Sequence, residues 1–238
     1  MAIENGTYIK LSYTGSVNGV PFDTTDAEVA KTAEMYRENA MYGAATVKVG
    51  AGHVLPGVDE DLAGKEVGKE YTLVIPAAKA FGEHKPEEMK AFDKKDFQKK
   101  PEVYERVTIE GRDGVVINKV GSRYIVDFNH PLAGQDVAYV YTIEGVVEDG
   151  TEQLAGMIKL LTGRDMKVSA EDKTFVSIEI PAMMAMYNQN WLMTQYMVSQ
   201  EAFLIFPEIE NVKFIESFPR PNYKAEEESA PAEEQAAE

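Results

Sequence analysis

Residues 47–82, VKVGAGHVLPGVDEDLAGKEVGKEYTLVIPAAKAFG, read as strand, short helix, strand and turn, and the rest of the chain is arranged around them. Val47 and Val49 alternate toward one face, and Gly50 and Gly52 break the strand. From there Val54, Leu55, Val58 and Leu62 recur at helical spacing. Pro56 falls early enough in that helix to give up only an amide hydrogen that would have no helical partner. Asp59, Glu60 and Asp61 are expected on the outward side, and Gly64 ends the helix. The next strand alternates Tyr71, Leu73 and Ile75 against Thr72 and Val74, and Pro76 stops it. A short apolar helix between strands makes a small core with an open end.

Toward the N-terminus, residues 7–13 alternate as a strand with one apolar face, which Gly15 is expected to turn. Asn18-Gly19 marks a tight hairpin. Residues 21–25, PFDTT, then place an aromatic ring and a carboxylate side by side at a strand end. On local pattern alone Asp23 is equally a turn former. Residues 27–43 have helical composition, with Val29, Ala33 and Tyr36 on one side, and predict a helical insertion.

Composition bounds the answer further. The 238 residues suit one large domain or two to three small ones. Without cysteine there are no disulfides, no Cys-ligated zinc or iron–sulfur cluster and no thiol catalysis. No apolar run suggests a membrane span or a leader, so a soluble cytoplasmic protein is expected. The 40 acidic residues against 24 basic leave a net charge of −16, which argues against nucleic acid as the main partner. Six of those charges fall in residues 225–238, expected to be a disordered solubilising tail.

Toward the C-terminus, residues 103–109, 114–119 and 123–128 are short alternating runs between glycine-rich turns and predict a small all-β unit. Lys94, Lys95, Lys99 and Lys100 around Phe97 read as a solvated face. Residues 137–146 form another strand. Beyond them come a helix over 151–161, a strand over 174–181, a long helix over 188–206 and a strand over 212–218, together a compact α+β domain. It holds Met157, Met166, Met183, Met184, Met186, Met193 and Met197. That richness suits core packing or a subunit interface, with an adaptable peptide-binding surface as the other use.

YTG at 13–15, PFDTT at 21–25, VGAGHVLPGVDEDLAG at 49–64, VGKEYTLVIP at 67–76 and AFG at 80–82 together resemble an FKBP-type peptidyl-prolyl cis/trans isomerase. In ordinary members the gap after AFG is a short flap. Here residues 83–134 fill it and close with NHPLAG, which resembles the insert-in-flap chaperone domain of the SlyD-like branch. The long FKBP proteins of archaea carry a C-terminal extension similar in kind to the last domain. The resemblance implies an α+β fold in which an FKBP antiparallel sheet wraps on a short helix. Residues 1–82 and 135–150 would form the isomerase domain with a helical insertion at 27–45. The insert would be 83–134, the C-terminal domain 151–224 and the tail 225–238.

The same resemblance carries the pocket to Tyr13, Phe22, Asp23, Val54, Leu55, Val58, Phe81 and Tyr141. Phe22, Val58, Phe81 and Tyr141 would wall a proline ring, the Leu55 amide would hold a substrate carbonyl, and Asp23 with Tyr13 would form a polar edge. Val58 stands where many members carry a large aromatic, and Phe81 where a tyrosine is common, which bears on drug-like ligands more than on catalysis. Without the resemblance, these apolar residues read as core. Some SlyD-like proteins have a metal-binding tail rich in His and Cys. This chain has only His53, His84 and His130, far apart, so neither metal nor cofactor is expected. The implied partners are unfolded or proline-containing polypeptides, with dimerisation through the C-terminal domain. Of two functions, an isomerase fed by its insert and a holdase chaperone with a vestigial pocket, the first is expected, since Tyr13, Phe22, Asp23, Phe81 and Tyr141 all suit proline.

Overall fold

Alternation of apolar and polar residues places β1 (Tyr8–Val17) at the centre of a sheet, with Tyr8, Ile9, Leu11 and Val17 buried. In this computed structural model, which describes residues 2–38 and 40–218, the chain parts into two compact units between Glu148 and Asp149. In the first, β2 (Val20–Thr24), β1, β9 (Val137–Val146) and β4 (Glu70–Ile75) lie in that order, all antiparallel. β3 (Ala45–Lys48) shares with β2 one edge of β1, pairing over Tyr8–Leu11 while β2 pairs over Thr14–Val17. The expected turn at Gly15 is corrected. β1 runs straight through it with a bulge before Ser16, and the chain reverses at Asn18 and Gly19, both with positive φ.

The predicted helical insertion is also shorter than expected. α1 (Ala27–Thr32) is capped by Asp26, whose carboxylate accepts the amides of Glu28 and Val29, and only Ala30 is buried. Glu34 has φ 56°, which stops the helix, and Tyr36 stacks on Tyr42 at 5.1 Å instead of continuing an apolar face. α2 (Pro56–Leu62) lies across the sheet and buries Val58 and Leu62 in a core with Ile9, Leu11, Val47, Val49, Ile75 and Ile143. Asp59 is not on the outward side. Its carboxylate is buried and accepts the amides of Gly50 and Gly52, each at 2.8 Å, so it pins the loop that leads into the helix. A carboxylate in a helix's first turn is electrostatically favoured.

Between β4 and β9 a second antiparallel sheet forms in the order β5 (Met89–Asp93), β8 (Arg123–Asp127), β7 (Arg112–Val120), β6 (Arg106–Ile109). It has its own core of Ile109, Val116, Tyr124 and Val126, on which Phe92, Phe97, Val107 and Phe128 pack. The lysines around Phe97 stay outside this core, and Lys99 pairs with Glu105 at 2.6 Å. The strand β5 was not expected, because in MKAFD only Met89, Phe92 and Asp93 are partly covered.

The second unit opens with α3 (Gly150–Thr162), capped by Asp149 and ended at Gly163 in the left-handed region. β10 (Lys167–Asp172) pairs antiparallel with β11 (Phe175–Ile180). The chain returns through α4 (Met184–Tyr187) and α5 (Trp191–Ile205) to β12 (Asn211–Glu216), parallel to β11. A parallel pair needs such a crossover. The long helix thus begins at Trp191, not at residue 188, and β10 is a strand that the sequence pattern does not announce. Met157, Met166 and Met184 are buried, whereas Met183, Met186, Met193 and Met197 are exposed. No described helix is long and apolar enough to cross a membrane. The tail expected at 225–238 lies outside the described residues.

Candidate active site

A cavity of about 320 Å³ opens where α2, the loop before it and the β1–β2–β9 side of the sheet converge. Tyr13, Phe22, Asp23, Val54, Leu55, Val58 and Phe81 all line it, joined by Gly52, His53, Pro56 and Tyr139. Val58, fully buried, closes the bottom. The walls are aromatic. Phe22 meets Phe81 edge-on with centroids 5.4 Å apart, and meets Tyr139 edge-on at 6.1 Å. Tyr13 lies 5.6 Å from Tyr139. Edge-to-face rings in this range attract beyond the area they bury, which fixes the walls relative to one another.

Hydrogen bonds tie down the chain on either side of the cavity. Tyr13 is clamped between β1 and the end of β2, its amide donating to Thr25 Oγ1 at 2.9 Å while the Thr25 amide donates to its carbonyl at 2.9 Å. Its hydroxyl donates to Asp23 Oδ2 at 3.1 Å. Phe81 follows the single 3₁₀ turn Ala77–Lys79, whose first amide donates to Asp136 Oδ1 at 3.0 Å and so ties the end of β4 to the start of β9. The Leu55 carbonyl accepts the amides of Val58 and Asp59 and starts α2, while the Leu55 amide hydrogen has no partner among the described residues.

Tyr141 is not in this cavity, and Tyr139 takes the place expected for it. The two point to the same face of β9, since strand side chains repeat every second residue. Register separates them. Tyr139 lies opposite Gly15, where an added Cβ would stand 2.7 Å from the Tyr139 ring and 2.9 Å from the Phe22 ring. The missing side chain is the space those rings occupy. Tyr141 lies opposite Tyr13, stacks on Tyr71 at 5.5 Å and donates its hydroxyl to Asp61 Oδ2 at 2.6 Å. A glycine facing an aromatic across an antiparallel pair was the signal that could have found Tyr139.

Electrostatics keep the cavity neutral on its tyrosine side. Burial, then the charge of Asp23 and the hydrogen bond to it, push the Tyr13 hydroxyl well above the usual tyrosine range. Burial, then Asp23 and Tyr13, do the same to Tyr139. Both phenols therefore keep their protons at neutral pH. Among the described residues no cluster of three or more His, Asp or Glu side chains is placed to hold a metal. What this arrangement offers is an apolar ring-sized recess, a polar edge and the Leu55 amide as a donor.

Comparison with known proteins gives these features a context. A family model for FKBP-type peptidyl-prolyl cis-trans isomerases matches residues 1–110, and one described as FKBP26_C-terminal matches residues 150–219. A short-type peptidyl-prolyl cis-trans isomerase of Methanocaldococcus jannaschii is 31% identical over 151 residues, 60% of this chain and 94% of the relative. The FKBP-type peptidyl-prolyl cis-trans isomerase SlyD of Treponema pallidum is 26% identical over 133 residues, 53% and 76% of the two chains. An FKBP-type 16 kDa peptidyl-prolyl cis-trans isomerase of Escherichia coli is 32% identical over 115 residues, 45% and 76%.

Proposed function

From the premise that this chain belongs to the FKBP-type peptidyl-prolyl cis-trans isomerases, we propose that the aromatic cavity is its proline site. The enclosure of Phe22, Phe81 and Tyr139 above Val58 carries the reading. An X-Pro amide crosses a barrier of about 18–20 kcal/mol through a twisted form that has lost resonance. Unaided, this takes tens to hundreds of seconds. The planar amide is the more polar form, so apolar walls favour the twisted one, and a donor that fits the twisted geometry adds to the preference. A thousand-fold acceleration asks for about 4 kcal/mol. The volume is at the low end for ligand sites, which run from about 300 to 1,000 Å³, and suits one proline ring with flanking backbone.

In this reading Phe22, Phe81, Tyr139 and Val58 hold the ring and the Leu55 amide takes a substrate carbonyl. Tyr13 and Asp23, hydrogen-bonded to each other, present the polar edge. Val54 lines the entrance side, and Tyr141 supports the sheet from outside the cavity. The complete aromatic wall speaks against a vestigial pocket.

The inserted sheet would capture unfolded chain and raise the local concentration of X-Pro bonds at the cavity. Its exposed Val103, Tyr104 and Val120 support that role, Tyr104 being 81% exposed. The C-terminal unit would pair two copies of the chain. The solvent side of α5 carries Leu192, Met193, Tyr196, Met197, Phe203 and Leu204, where a surface helix normally shows polar residues. An apolar patch of this kind marks an interaction surface. We place the protein in the cytoplasm.

The test is refolding of a protein whose slow phase is limited by prolyl isomerisation, with this chain at substoichiometric levels. Wild type should accelerate that phase, and a Phe22→Ala, Phe81→Ala variant should not. Acceleration by both would remove the cavity from the reaction.

A further inference from the structure

The insert joins its host through two adjacent strands of chain, and these cross where glycines let them approach. The Gly134 amide donates to the Gly82 carbonyl at 2.8 Å, and a Cβ on Gly134 would stand 3.0 Å from that of His84. Just beyond, the two strands are locked. His84 Nε2 and Asp127 Oδ2 are 2.8 Å apart. Asn129 Oδ1 accepts the Lys85 amide at 2.9 Å, and Asn129 Nδ2 donates to the Lys85 carbonyl at 2.9 Å and to Asp127 Oδ1 at 2.7 Å.

Between this lock and the cavity, the His130 ring lies flat on Phe81, with centroids 4.4 Å apart and planes 7° from parallel. Near-parallel rings at this centroid distance attract beyond the area they bury. The backbone brings them together. His130 opens a turn with Pro131 in second place, closed by the Ala133 amide donating to the His130 carbonyl at 2.9 Å. The Leu132 amide donates to His130 Nδ1 at 3.2 Å, which sets the ring's direction. Leu132 itself packs on the first core. Phe81 needs such support, because it follows a single 3₁₀ turn and belongs to no strand.

We infer that His130 is a positioning residue for isomerisation. By covering one face of Phe81 it holds that ring as a wall of the proline site, and through the His84–Asp127–Asn129 lock it ties the wall to the insert. The inference rests on the cavity being the proline site. Misplacing a wall by a fraction of an ångström weakens the twisted amide more than the overall fold.

The experiment uses the full chain and a proline tetrapeptide too short to need the insert, with kcat, KM and thermal midpoint measured for wild type, His130→Ala and His130→Phe. His130→Ala should lower kcat/KM about tenfold with its thermal midpoint unchanged. His130→Phe keeps a flat ring and should recover most of the loss. Active wild type with an unaffected His130→Ala variant would overturn this inference alone. So would a His130→Phe variant as impaired as His130→Ala. A wild type inactive on the peptide would overturn the reading of the cavity, and this inference with it.

Discussion

The aromatic cavity of the first unit and the outer side of α5 in the second are both apolar, and they are built in opposite ways. In the cavity every ring has a neighbour. Phe22, Phe81 and Tyr139 brace one another, Gly15 makes room for two of them, and Asp59 holds the loop carrying Val54 and Leu55. On α5, Leu192 is 81% exposed and Leu204 68% exposed, and two flexible methionines, Met193 and Met197, sit beside them. The first surface is shaped before anything binds and suits a single small group. The second is exposed and built of adaptable side chains, which would suit a broad partner.

That contrast can be broken in several places. The largest effect is expected at Asp59, because removing its buried carboxylate takes the acceptor from the Gly50 and Gly52 amides that fix the loop. Asp59→Ala should cost about 3 kcal/mol in urea unfolding of the first unit and loosen the cavity's entrance. A loss below about 1 kcal/mol would mean the loop is held by something else. Next, Leu192→Lys with Tyr196→Lys should weaken self-association about 100-fold by sedimentation, or about 2.7 kcal/mol, and leave peptide isomerisation as it was. A dimer that survives both charges would move the interface off α5. On the insert, Tyr104→Ser with Val120→Ser should cut suppression of aggregation severalfold and again spare the peptide.

The smallest effect concerns pH. Tyr13 and Tyr139 have hydroxyls held above the usual range by burial and by Asp23, so the folded state binds their protons more tightly than the unfolded state does. Their contribution is complete below the ordinary tyrosine value of about 10 and is lost as pH rises beyond it. The urea midpoint should therefore show no tyrosine-dependent loss between pH 7 and 9 and should fall above about pH 10. A Tyr13→Phe variant should fall less steeply. A decline that begins near pH 8 and vanishes in Tyr13→Phe would show this phenol to be less protected than its surroundings imply.

Much of this architecture is legible in the residues themselves. Strand β9 spans the expected Val137–Val146, and α2 ends at Leu62, ahead of Gly64, because alternation and helical spacing there agree with the turn signals. Where those signals part, reading fails. The 27–43 segment has helical composition but no sustained apolar face, so α1 stops at Thr32. β5 and β10 carry too little apolar alternation to announce themselves, and they form because a neighbouring strand supplies the pairing. Asp59 reads as a solvent-facing acid, and only the fold brings the two loop amides to it. The exchange of Tyr141 for Tyr139 has the same origin. Period two puts both on one face, and the choice depends on which residue of β1 stands opposite, Gly15 or Tyr13.

That exchange gives the most direct test of the cavity as the proline site. We would measure kcat/KM on a proline tetrapeptide for Tyr139→Ala and Tyr141→Phe side by side. Tyr139→Ala should lose about tenfold or more, while Tyr141→Phe, which gives up only the hydrogen bond to Asp61, should match wild type. Equal activity in both variants, or a larger loss in Tyr141→Phe, would contradict the assignment of the cavity.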